Sequence, residues 1–291
     1  MAESSADLSQ ALDPAIGTGN WKAYTLPMEP IYSAAEQWKH RLEGVEKPWL
    51  CWNVSPRWSV LQQKLVRHVG WTPVVGFDPR AGAPPVIPEA ILIDFNATFQ
   101  FPVMWPHFPL EFMFLWAPRL AFWHADLLCR FSVLEKLAAM FASIPAGSMA
   151  AVLDKGGLRN TLNFKSHRYW ELCGCTTAEA SADQFQKGAG WWRCWEQHRS
   201  CTDPAERARR SSYSYDSGVG ILYWKNEYRG SVTDVGLRLV NEGHCSEITS
   251  KSYIAGPDHG SPRRNLALEL DQNYSLDEVA QRLGIASLLD G

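Results

Sequence analysis

Apolar positions along the chain change period several times, and each change predicts an element. Residues 32–45 carry helical spacing. A short apolar run at 48–54 reads as a first strand. Residues 55–70 open on serine and Pro56 and close on Gly70, with Val60, Leu61, Leu65 and Val69 along one face, which predicts a capped amphipathic helix. Strands are expected at 72–78 and 90–99, separated by a loop rich in proline and glycine. Residues 119–129 predict a further strand, and 132–144 a helix with Leu134, Leu137, Ala138 and Phe141 facing inward. Residues 147–153 predict another strand. This β-α-β-loop-β opening, continued by strand-helix-strand, predicts an α/β class with a mostly parallel sheet flanked by helices.

After residue 153 the rhythm breaks. Residues 154–260 are polar, aromatic and rich in turns, and are expected to form loops and short strands over the sheet. A C-terminal helix is expected over 275–289, opened by a capping box from Ser275 to Glu278. Residues 1–25 are expected to be loosely ordered. Residues 26–291 form one expected α/β domain, with a ligand-binding half at 48–153 and a tryptophan-rich half at 154–270.

Composition narrows the class. The chain has 291 residues, 46% of them hydrophobic and 20% charged, with a net charge of −3. That balance fits a soluble globular protein and gives no broad basic field for nucleic acid. No run of about 18 apolar residues is free of charge and proline, so no membrane span is expected. The N-terminus lacks the basic start and apolar core of a secretory leader, so a cytoplasmic protein is expected. Seven cysteines in a chain of this size read as reduced thiols rather than a disulfide scaffold. No glycine-rich dinucleotide fingerprint, phosphate loop or nucleophile elbow occurs.

The chemistry concentrates at 119–130, where an apolar strand runs into His124-Ala125-Asp126. Residues two apart on a strand share a face. An imidazole nitrogen and a carboxylate oxygen on one face can hold a divalent cation, and the end of a strand in a parallel sheet is where ligands bind. Phe122-Trp123-His124-Ala125-Asp126-Leu127-Leu128, followed by a helix, resembles the Asp-x-Asp strand of GT-A glycosyltransferases, with histidine in the first place. The β-α-β-loop-β that precedes it resembles the nucleotide-binding half of that fold. The resemblance implies a GT-A-like sheet and a glycosyltransferase that uses a UDP- or GDP-linked sugar donor. It also implies Mn²⁺ or Mg²⁺ held against the donor's diphosphate by His124 and Asp126, with Glu242 and His244 of "NEGHCSEI" as late candidates to complete the site. Phe77, Asp78 and Asp94, at the ends of the second and third expected strands, fall on the nucleotide side.

"GAGWWRCWEQH" (188–198) is the expected acceptor side. Trp191, Trp192 and Trp195 offer faces on which a sugar or other small acceptor can stack, and Arg193 offers a cationic fork. Asp183 and Glu196, with Glu171 and Glu179, are candidates for the general base that an inverting transfer requires. The basic cluster "RARRSSYSYD" (207–216) is a further segment able to fold over a diphosphate. Cys173, Cys175, Cys194, His198 and Cys201 are zinc-capable types at spacings that match no common zinc module.

Two other readings use the same residues. His124, Asp126 and His244, with Arg263 or Arg264 for 2-oxoglutarate, would be the ligands of a non-haem Fe(II) oxygenase. The helix directly after the motif and the β-α-β opening argue against the jelly roll that such enzymes use. A non-catalytic α/β binding protein is the third.

Overall fold

The computed structural model describes residues 28–101, 104–154, 168–191, 202–213, 218–245, 270–271 and 273–289. Helix α1 (Met28–Arg41) precedes strand β1 (Pro48–Asn53), helix α2 (Pro56–His68) and strand β2 (Thr72–Phe77). Then come β3 (Ile91–Leu92), a short helix α3 (His107–Glu111), β4 (Arg119–Trp123), α4 (Phe131–Ala142), β5 (Ser148–Asp154) and β6 (Arg168–Thr177). The last described elements are α5 (Ala178–Gln186), α6 (Pro204–Ser211), α7 (Val219–Tyr228), β7 (Ser231–Asp234), α8 (Leu237–Val240) and α9 (Leu276–Leu283).

The seven strands form one mixed sheet in the order β3-β2-β1-β4-β6-β5-β7. Every neighbouring pair is parallel except the two that involve β6, which runs antiparallel to both β4 and β5. The expected mostly parallel α/β sheet is therefore present.

Alternation along the central strands sends side chains to two separate cores. Trp49 and Cys51 of β1, with Ala121 and Trp123 of β4, pack under α2, α4 and α9. Leu50 and Trp52, with Leu120 and Phe122, face α1, the aromatic segment 93–117 and α7. All six residues of β1 are buried, as expected of a strand covered on both faces. Helix α4 buries Leu134, Leu137, Ala138 and Phe141, the four expected positions. Ser275 caps α9 by accepting from the Glu278 amide at 3.3 Å.

Four elements depart from expectation. Strand β4 ends at Trp123, so His124 and Asp126 lie in the turn after it and not side by side on a strand face. The described part of 154–260 forms a ten-residue strand inside the sheet, β6, and the helices α5, α6 and α7, in place of the expected loops and short strands. The third strand stops at Leu92, because Asp94 closes a turn by accepting from the Asn96 amide at 2.9 Å. The Asn96 side chain then bonds Phe101 twice and folds the chain back into an aromatic cluster. Helix α2 buries Trp58, Leu61, Leu65 and Val66 together with Gln62 and Gln63, while Val60 and Val69 are only partly covered. Its inward face is thus rotated from the expected apolar stripe, and two amides lie inside.

Candidate metal centre

The sheet places its reactive end where its order reverses. The chain moves from β1 to β2 and β3 on one side, then places β4 on the other side of β1. The carboxyl ends of β1 and β4 flank that reversal, and crevices at such points bind ligands in open α/β sheets. His124 follows β4 directly. Its amide donates to Leu172 of β6 at 2.9 Å, and a tight turn follows, with the Leu127 amide donating to the His124 carbonyl at 3.2 Å. Gln62 of α2 clamps that turn. Its Nε2 donates to the carbonyls of His124 at 2.7 Å and Leu127 at 2.8 Å.

His244 arrives from the far end of the sequence. A 3-10 turn, Asn241–Gly243, delivers it into an antiparallel bridge with Leu127. The Cys245 amide donates to the Asp126 backbone carbonyl at 3.0 Å and the Leu128 amide to the Gly243 carbonyl at 3.1 Å. Gly243 is required by this approach, since a Cβ there would lie 1.6 Å from the Leu128 carbonyl oxygen.

One ligand atom from each of His124, Asp126 and His244 lies within 4.8 Å of the others. Asp126 Oδ1 is 3.5 Å from His124 Nδ1 and 3.6 Å from His244 Nε2, and the three side chains are 6%, 14% and 3% exposed respectively. These separations lie at the outer limit of hydrogen bonding. Asp126 Oδ1 and His244 Nε2 are buried without a hydrogen-bond partner among the described residues. A buried carboxylate oxygen and imidazole nitrogens converging at this spacing suit a divalent cation. Two imidazoles and one carboxylate suit a transition-metal ion such as Mn²⁺ or Fe(II) better than Mg²⁺, which prefers an all-oxygen shell.

Glu171 extends the cluster. Because β6 is antiparallel, its amino end lies at the carboxyl edge of β4, where Trp123 pairs with Cys173. Glu171 Oε1 therefore sits 3.5 Å from His124 Nε2, and 2.9 Å from Nε2 of His107 on α3. The result is a buried chain of alternating imidazoles and carboxylates: His107, Glu171, His124, Asp126, His244. Trp170 walls it, with its ring 5.8 Å from that of His124 and 5.0 Å from that of His244.

The electrostatics follow from these contacts. Burial favours the neutral form of His124, but the carboxylates of Asp126 and Glu171 outweigh it and hold its pKa at about 9. Burial pushes the Asp126 carboxyl up, yet the imidazoles of His124 and His244 bring it well below the usual carboxylate range. Glu171 is likewise held low by His107 and His124 against the effect of burial.

Other sequence-predicted residues have different surroundings. Asp78, at the end of β2 beside Phe77, is buried and gripped by Arg80 through two bonds of 2.8 Å. It also accepts from the amides of Arg80 and Met104. Asp94 is exposed and closes the turn described above. Asp183 on α5 holds Lys187 at 2.8 Å and accepts from the Trp224 indole at 2.7 Å. Helix α5 leaves β6 at the edge opposite the metal cluster, since Thr177 pairs with Arg119 at the start of β4. Trp191 is 2% exposed, edge-on to Phe122. Glu179 is exposed. Glu242 points outward and pairs with Arg130. In the basic cluster, Arg210 is buried and bound to Glu206 and to the carbonyls of Lys187 and Gly188. Trp192, Arg193, Trp195 and Glu196 lie outside the described residues, as do Cys194, His198, Cys201, Arg263, Arg264 and residues 1–25. Cys173 and Cys175 are buried free thiols, both pushed up by burial.

His107 and Gln62 escaped sequence reasoning. The one signal was a polar residue inside an apolar stretch: His107 in the aromatic run 99–116, and Gln62 between Leu61 and Leu65. No described helix is long and apolar enough to cross a membrane. Comparison with protein-family models, with curated proteins and with solved structures finds no match.

Proposed function

We propose that the chain is a glycosyltransferase of GT-A-like fold, transferring a sugar from a nucleotide donor with the help of a divalent cation. The observation that carries this reading is the convergence of His124, Asp126 and His244 directly after β4, at the point where the sheet order reverses. His124 Nδ1, Asp126 Oδ1 and His244 Nε2 would hold the cation. Bound there, Mn²⁺ or Mg²⁺ would neutralise a diphosphate leaving group as a Lewis acid.

The spacing suits a nucleoside diphosphate. Neighbouring strands lie about 4.8 Å apart, so the ends of β2 and β4, separated by β1, are roughly 10 Å apart. A diphosphate at the His124 turn would lie at that distance from Phe77 and Asp78, the length of a nucleoside. Since Arg80 already occupies the Asp78 carboxylate, the nucleotide would be met by the edge that Asp78 shapes rather than by its oxygens. Transfer breaks the bond from the sugar to the diphosphate and forms one to an acceptor hydroxyl, whose proton needs a base. Glu171 and Asp183 are already engaged by cationic or N–H partners. Glu179 lies on α5 at the edge opposite the His124 turn. Glu196 is the remaining candidate and the base we assign, with Trp192 and Arg193 on the acceptor side.

The donor set also favours a second reading, a non-haem Fe(II) site, since two imidazoles and one carboxylate are its usual ligands. Melting curves separate the two. A Tm rise that needs Mn²⁺ and UDP or GDP together, and is lost in Asp126→Ala, supports the transferase. A rise with Fe(II) and 2-oxoglutarate, and none with nucleotides, refutes it.

A further inference from the structure

We propose that Glu171 is a positioning residue of the metal centre: it holds the Nε2–H of His124, reserving Nδ1 for the cation, and is itself fixed by His107. This rests on reading His124, Asp126 and His244 as metal ligands. A ligating imidazole presents one nitrogen to the metal and keeps a proton on the other, and the acceptor of that proton sets which nitrogen is which. In the His124 ring, Nδ1 is the nitrogen near Asp126 Oδ1, at 3.5 Å, and Nε2 is the one near Glu171 Oε1, also at 3.5 Å. The ring thus bridges the two carboxylates, one on the metal side and one behind it.

The backbone, not a surface rotamer, sets this placement. The His124 amide bonds the Leu172 carbonyl, and Trp123 is in register with Cys173, so Glu171 is carried to the back of the ring by strand pairing. A carboxylate oxygen has lone pairs for two donors. Oε1 of Glu171 lies 3.5 Å from Nε2 of His124 and in ion-pair contact with Nε2 of His107 at 2.9 Å. His107 also comes from the opposite core, in the aromatic segment beside Phe108. The pair therefore ties the orientation of a metal ligand to the packing of that segment.

The test is an Mn²⁺ titration of the full chain, following free Mn²⁺ by electron paramagnetic resonance, with Asp126→Ala, Glu171→Gln and Glu171→Met. Glu171→Met keeps the length and removes the acceptor, and should weaken Mn²⁺ binding by about 10–100-fold, the usual effect of losing such a partner. Glu171→Gln retains an acceptor oxygen and should fall between it and the wild type. A purely structural role would lower Tm in both variants and leave their affinities equal to the wild type. In ¹⁵N-labelled protein loaded with diamagnetic Zn²⁺, His124 should keep its proton on Nε2. Ligation of His124 through Nε2, or a Glu171→Met protein that binds Mn²⁺ as tightly as the wild type, overturns the proposal. If Glu171→Met fails to fold, the Glu171→Gln affinity and the His124 proton position decide it. Wild-type protein that binds no Mn²⁺, or binding untouched by Asp126→Ala, refutes the metal reading itself and this proposal with it.

Discussion

Gln62→Leu isolates the clamp that shapes the turn carrying His124 and Asp126. Gln62 is fully buried and donates two short hydrogen bonds, at 2.7 and 2.8 Å, to the carbonyls of His124 and Leu127. Leucine has a similar volume, so little cavity forms. Each bond contributes roughly 1 kcal/mol net, and a buried carbonyl left without a partner costs roughly 1–3 kcal/mol more. The His124 carbonyl keeps the Leu127 amide as a donor, so the penalty falls on Leu127. The expected loss is about 3–5 kcal/mol. For a chain of this size that corresponds to a Tm lower by roughly 5–10 °C. Urea unfolding should show a lower midpoint with an unchanged slope, because the surface exposed on unfolding is the same. Mn²⁺ affinity should fall as well, since Asp126 lies within the clamped turn. A variant that melts within about 1 °C of the wild type would refute the reasoning, because the two bonds would then contribute nothing beyond what water supplies in the unfolded chain.

Other consequences follow from single contacts. Gly243→Ala places a Cβ 1.6 Å from the Leu128 carbonyl oxygen, so the bridge that delivers His244 must open. Its calorimetric melting temperature should drop and its Mn²⁺ binding should be lost, and wild-type affinity in this variant would show that the bridge is dispensable. Glu206 accepts from Tyr223 at 2.6 Å and from Arg210 at 2.8 Å. Its burial raises its pKa, but the Tyr223 hydroxyl and the guanidinium groups of Arg209 and Arg210 outweigh that and lower it from 4.5. A lowered carboxyl stabilises the fold above its unfolded value and loses that contribution as pH falls through the folded value. The stability gap between wild type and Glu206→Gln, measured by urea unfolding, should be widest near neutrality and close below pH 4.5. A gap that stays constant with pH would show that the charge of Glu206 does not matter.

Much of the fold was legible in the sequence because it depends on local periodicity. Strand β1, helix α4 and the cap of α9 each follow from residues within one element. His124 and Asp126 could be singled out because they follow an apolar strand directly, although the turn after β4, and not the shared strand face that period-two alternation predicts, brings them together. The third strand was overextended because Asp94 and Asn96 make side-chain to backbone bonds that period-two alternation does not register. The buried face of α2 was misplaced because it holds amides whose partners, the carbonyls of His124, Leu127 and Pro85, lie far along the chain.

By itself, then, the sequence determined the α/β class, the mostly parallel strands and the His-x-Asp at the end of β4. Tertiary structure alone decided that β6 enters antiparallel between β4 and β5, and this one reversal brings Glu171 behind His124. It also brought His244 across more than a hundred residues to Asp126, through a bridge that only glycine permits. Local propensity carries no information about which distant segments pair. That is decided by strand register and by close backbone approach, and the buried imidazole–carboxylate chain around His124 is the product of both.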